Sequence, residues 1–271
     1  MAGAAHLVEG TPNGLAVRVF EPAEDAGLRP VLLIHGFASS TELNWVATGW
    51  TAFLNDAGRR AIAVDLPGHG AASAPEELDA YTPSRIRADL LQVLEDQGVL
   101  PLDESDPSSG VDVVGYSLGA RLAWELAATQ PELVRRAALG GPAAVDPLAA
   151  FDLAAAQRHL ADGTPIADES TAELLRMARL VPSNDLFALM SLVEAVKSEP
   201  FDPGHAVPRQ PLLLVAGDRD ELAETMPRLA GMARDRGGDE AATELLLPAR
   251  THANAVTSRA FKKAAVEFLA S

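Results

Sequence analysis

The chain has 271 residues, 48% of them hydrophobic and 22% charged, a balance that fits a folded protein with a substantial core and excludes disorder over most of its length. Its 22 lysines and arginines stand against 38 aspartates and glutamates, and the net charge of −16 repels phosphate backbones and anionic lipid, so neither nucleic acid nor a membrane surface is an expected partner. Cysteine is absent, which removes disulfides, a thiol nucleophile, iron–sulfur clusters and cysteinyl zinc sites together.

Residues 1–14 hold no basic segment leading into an apolar stretch, and no run approaches the ~20 apolar residues of a membrane span. A soluble, cytoplasmic protein is the expectation. Residues 14–20 alternate Leu15, Val17 and Val19 with smaller or polar neighbours, the pattern of a half-exposed edge strand. Short apolar runs at 30–34, 61–64 and 111–114 each end in glycine-rich punctuation and give way to helical spacing, as buried parallel strands alternating with helices do. The polar, turn-rich stretch 101–110 is a surface loop leading into the last of these. A weaker strand run follows at 134–139, and the late ones lie at 211–216 and 243–247, ahead of a closing helix over 260–269. The pattern predicts an α/β protein with a doubly wound, mostly parallel sheet covered on both faces.

Between 143 and 208 the alternation stops and three helical segments follow one another. Ser170 and Glu173 have capping-box spacing ahead of Leu174, Leu175 and Met177, and Pro182-Ser183 punctuates before a second apolar stretch. The expected organisation is therefore a core of residues 1–142 and 209–271 with a helical cap, 143–208, inserted between strands.

The most informative segment is Gly115-Tyr116-Ser117-Leu118-Gly119, where a buried-strand pattern meets a helical one. A serine lifted on so sharp a turn is strained, and small residues two positions to either side let strand and helix approach. A serine hydroxyl is a weak nucleophile and needs a base, for which six histidines compete. His6 lies in an irregular terminus, His35 and His69 in glycine turns, and His159 and His205 in the cap segment or its hinge, which leaves His252, in the loop before the closing helix. Loops at the carboxyl ends of parallel strands gather at one rim, so Ser117 and His252 can meet. An acid that orients the imidazole should lie between them in the chain; Asp220 in Gly217-Asp218-Arg219-Asp220 has the reach, with Asp218 as the alternative, a turn-former.

Rival readings fail on context. Gly68-His69-Gly70 follows Pro67, lacks a third glycine and runs into Pro75, unlike a dinucleotide-binding fingerprint, and none of the three lysines follows a glycine loop as a P-loop requires. No histidine pair or acidic loop has metal-ligand spacing, so neither metal nor cofactor is expected.

Taken in order, Leu33-Ile34-His35-Gly36-Phe37, Asp65-Leu66-Pro67-Gly68-His69-Gly70, the serine pentapeptide, Gly217-Asp218-Arg219-Asp220 and His252 resemble the capped α/β-hydrolase family over nearly the whole chain. The resemblance implies Ser117 as nucleophile, Asp220 as acid and His252 as base, with an oxyanion hole from the backbone N–H groups of Phe37 and Leu118. Epoxide hydrolases and haloalkane dehalogenases of this fold carry aspartate where Ser117 stands, so neither of those two activities is expected. An esterase acting on a small-molecule acyl substrate is the leading expectation, as monomer or homodimer. A carbon–carbon bond hydrolase remains open, as does a lyase like that of the menaquinone pathway, whose elbow is similar through Arg121, and so does an idle ligand-binding fold. Trp45, in the loop after Phe37, and Phe187 and Met190, in the cap segment, are the expected substrate-binding residues.

Overall fold

The computed structural model describes the backbone of residues 5–8 and all of residues 14–146 and 148–271. Eight strands form one sheet in the order β1-β2-β4-β3-β5-β6-β7-β8: β1 (Ala5–Val8), β2 (Ala16–Phe20), β3 (Val31–Ile34), β4 (Ala61–Asp65), β5 (Val111–Tyr116), β6 (Val134–Gly140), β7 (Leu212–Gly217) and β8 (Ala242–Leu247). From β4 through β8 every pairing is parallel, whereas β1–β2 and β2–β4 are antiparallel. Each strand run read from the sequence is present. The 14–20 run, however, is not at the edge, because β1 pairs outside it. Four residues are too few to display a period, which is why the strand carrying His6 read as irregular terminus.

Alternation along the strands sorts side chains into two layers. Leu32, Ile34, Ile62, Val64 and Leu214 face one cluster, which includes residues of α2 (Pro83–Asp96), α3 (Leu118–Thr129) and α7 (Met226–Gly237). Val31, Leu33, Ala63 and Val215 face the other, with α1 (Trp50–Asp56) and α8 (Arg259–Ala270). Three helices lie between β6 and β7: α4 (Leu153–Asp162), α5 (Glu169–Arg179) and α6 (Leu186–Ser198). Each starts on an aspartate whose side chain accepts a backbone N–H of the first turn, Asp152 from Ala155, Asp168 from Thr171 and Asp185 from Phe187 and Ala188. The N-cap of α5 is thus Asp168, two residues ahead of the expected Ser170, which lies inside the first turn.

One buried charge anchors the central strand. Asp112 on β5 is fully buried, and its carboxylate accepts from Arg59 Nη2 at 2.7 Å. The same guanidinium donates to the carbonyls of Arg29 and Leu269, so a single side chain fastens the approach to β3, the end of α8 and β5. Burial pushes the Asp112 carboxyl above its ordinary range while Arg59 opposes the shift. Removing one partner leaves the other charge buried alone, so Arg59→Ala should lose about 3–5 kcal/mol of unfolding free energy. A urea titration of the two proteins measures it, and a midpoint unchanged from the parent would contradict this role for the pair.

Candidate active site

The end of β5 and the start of α3 meet at Ser117, whose backbone lies at φ 55°, ψ −114°, a region a side-chain-bearing residue occupies only under constraint. The constraint is close approach. A Cβ on Gly115 would come within 2.2 Å of the Gly119 carbonyl oxygen, and one on Gly119 within 2.0 Å of the Ile34 carbonyl oxygen. With both positions bare, strand and helix close on each other and leave the serine at the apex.

His252 reaches that apex from the loop after β8. Ser117 Oγ–H donates to His252 Nε2 at 2.9 Å, and His252 Nδ1–H donates to Asp220 Oδ2 at 2.8 Å. The carboxylate accepts only, so it fixes the proton on Nδ1 and leaves Nε2 free to accept. Asp220 is buried, and its other oxygen accepts the Leu222 N–H, whereas Asp218 is exposed. Two further residues set where His252 lies, one by anchoring its main chain and one by leaving room for its ring. The Tyr116 hydroxyl donates to the His252 carbonyl, and Gly141, at φ 56°, lies where a Cβ would stand 2.8 Å from His252 Cε1. Their only sequence signal is position, one beside the serine and one just beyond β6.

The loop after β3 lies against the serine. The Cβ position of Gly36 is 3.2 Å from Ser117 Cβ, and the next amide, that of Phe37, has no partner among the described residues. Leu118 opens α3, where first-turn N–H groups lack intrahelical acceptors. Two buried histidines brace this loop. His35 donates through Nδ1 to the Gly36 carbonyl and accepts the Leu66 N–H at Nε2; His69 donates to the Pro67 carbonyl and accepts the Ala38 N–H at 3.1 Å. Both are thereby held neutral with a set tautomer, and burial, reinforced by His35, depresses His69 to about 3.

Asn184, between α5 and α6, joins the same loop to the helices above. Its amide nitrogen donates to the carbonyls of Ala38 and Ala178, and its oxygen accepts the Gly70 N–H at 3.2 Å. Neither composition nor spacing marked this asparagine. Asp185 continues the seam by donating its backbone N–H to the Gly68 carbonyl.

The expected substrate-binding residues fall elsewhere. Trp45 is fully buried on the α1/α8 side of the sheet, edge-on to Trp50 at 5.6 Å, because the π-helical turn Glu42–Val46 carries it into that layer. Phe187 is 72% exposed on α6, and Met190 is buried in the core beneath it. A narrow pocket does adjoin Ser117, walled by Ala120, Arg121, Trp124, Leu139, Phe201 and Leu229, and none of the three expected residues lines it. Arg121 is buried, with Nε on Glu125, Nη1 on Asp146 and Nη2 on the Glu199 carbonyl. Among the described residues no group of three or more histidine, aspartate or glutamate side chains is arranged to hold a metal ion, and no helix is long and apolar enough to cross a membrane.

The family model described as alpha/beta hydrolase fold matches residues 29–226, about three-quarters of the chain. The chain belongs to the alpha/beta hydrolase fold family. Among curated relatives, it is 35% identical over 112 residues to epoxide hydrolase A of Mycobacterium tuberculosis (strain ATCC 25618 / H37Rv), a match covering 41% of this chain and 31% of that one. A Bacillus subtilis (strain 168) protein provisionally named 2-succinyl-6-hydroxy-2,4-cyclohexadiene-1-carboxylate synthase is 34% identical over 106 residues, 38% of this chain and 33% of that one. The chain thus spans about a third of the length of these relatives. A solved structure from a study of Nitrososphaera gargenis carboxylesterases is similar at a TM-score of 0.73 over 98% of both chains with 16% identity. At that identity the likeness is one of fold.

Two outcomes follow from this packing. In Asn184→Ala the Gly70 amide loses the side-chain oxygen that accepts it, so its hydrogen exchange, followed by mass spectrometry or NMR, should speed up at least about tenfold while β5 amides stay protected. His69 accepts a proton near 6.5 when unfolded but only at about 3 when folded. The unfolded state then binds more protons between those values, so stability is full above about 6.5 and drains away as pH falls toward about 3. Urea midpoints taken from pH 7 to pH 4 should therefore fall less steeply in His69→Gln than in the parent.

Proposed function

We propose that this protein is a serine hydrolase that cleaves a carboxylic ester or related acyl substrate through an acyl-enzyme. The observation that carries the reading is the unbroken relay from Ser117 Oγ through His252 to the buried Asp220, with links of 2.9 and 2.8 Å. His252 Nε2 takes the hydroxyl proton as Oγ attacks the carbonyl carbon, and the negative charge that gathers on the carbonyl oxygen is held by the Phe37 and Leu118 amides. The imidazolium gives its proton to the departing alcohol, leaving an ester on Ser117. Water then repeats the sequence, His252 accepting its proton, and returns the free serine and a carboxylic acid. Residues 143–208 act as a roof over this rim, tied to it by Asn184 and Asp185.

Chemistry disfavours the epoxide hydrolysis named for several relatives. A serine oxygen that opened an epoxide would form an ether, and no acyl carbon would be present for water to attack; release needs a carboxylate nucleophile. The lyase reading has the similarity to the Bacillus subtilis protein in its favour, but the arginine it would spend on an anionic substrate is committed to Glu125, Asp146 and the Glu199 carbonyl. An idle, ligand-binding fold has no use for the strain at Ser117.

A fluorophosphonate probe should add its mass at Ser117 and fail to do so in Ser117→Ala. Asp220→Asn should retain the fold by circular dichroism and lose about 10⁴ in kcat on an activated ester, as misorientation of the imidazole costs elsewhere. Folded protein that neither labels nor turns over esters would rule the proposal out.

A further inference from the structure

We infer that the pocket beside Ser117 selects a short acyl group, acetyl or propionyl, by means of a wall that Arg121 holds rigid. This rests on the serine hydrolase reading above and narrows its substrate class. The pocket offers about 10 Å³ to the centre of a water-sized body, room for roughly one water molecule, and a methyl group has similar girth. Leu139, Trp124 and Leu229 in its walls are each at most 1% exposed and are packed into the main core cluster.

What makes this wall unusual is its backing. The Arg121 guanidinium stacks over the Phe201 ring at 5.3 Å and bonds at once to Glu125 on its own helix, to Asp146 where the chain leaves the sheet for α4, and to the Glu199 carbonyl where it returns from α6. Trp124 is fixed in turn, its indole N–H donating to the Ala206 carbonyl. Moving Phe201 gives up its stacking on the Arg121 guanidinium, and moving Trp124 breaks the indole N–H bond to the Ala206 carbonyl. Apart from Ser117 and Arg121 the side chains that wall the pocket are apolar, so the group admitted is a small acyl chain.

The test is a series of p-nitrophenyl esters, acetate, butyrate and octanoate, together with methyl and octyl acetate. One surplus methylene in a confined pocket is worth about 10–200-fold, so kcat/KM for octanoate should fall at least about 100-fold below acetate. Methyl and octyl acetate, differing only in the alcohol, should stay within about tenfold. Phe201→Ala should raise the octanoate-to-acetate ratio at least about tenfold, and Leu229→Ala, which trims the opposite wall, supplies the same readout if the first variant does not fold. Octanoate turned over as well as acetate by the parent, or ratios unmoved in both folded variants, would overturn the inference while leaving the acyl-enzyme reading intact. Failure of all the esters together with absent fluorophosphonate labelling would instead remove the underlying reading.

Discussion

Ser117 occupies a backbone conformation that no local preference favours, and the molecule sustains it by pressing β5 and α3 together across two bare glycines. A carbonyl of the neighbouring strand, that of Ile34, lies where a side chain at Gly119 would begin. The strain is therefore distributed over β3, β5 and α3, which are in turn fixed by core side chains and by the bond from Arg59 to Asp112 on β5. With its hydroxyl so placed, the serine need not search for the imidazole. The proton acceptor is already within hydrogen-bond range, and the acid that sets its tautomer is sealed from water.

Around this apex, neutral polar groups do the positioning. His35 and His69 use each ring nitrogen once, as donor or acceptor to main chain, and so define the path of residues 36–38. A charged side chain in their place would demand solvation that the interior lacks. Asn184 extends the same logic upward, since an amide can donate and accept at once and thereby address two loops and a helix end without net charge. The consequence is that the connection between α5 and α6 and the loop bearing the Phe37 amide share bonds, so displacement of one is felt by the other.

Much of this was legible in the residues. Strands buried on both faces announce themselves as short apolar runs, and the serine pentapeptide, Asp220 and His252 lie at strand ends where parallel topology gathers them. The positions misread share a physical cause. Trp45 follows Phe37 closely in the chain, which points to substrate, but the π-helical turn Glu42–Val46 buries it in the layer of α1 and α8. Phe187 and Met190 lie on one amphipathic helix whose orientation no local pattern specifies, and the helix turns one outward and the other into the core. Asp168 displaced Ser170 as N-cap because either residue type serves and only the entry path of the chain decides. Tyr116, Gly141 and Asn184 act through partners far away in the chain, and such pairings are not encoded by spacing.

Arg121 grips the chain both where it departs from the sheet at Asp146 and where it comes back at Glu199. The span strung between those two clasps has a third fastening at Asn184 and Asp185, much as an awning is held by two brackets and a centre pole. The connections that reach none of these three fastenings are therefore where its length can change at least cost to the rest.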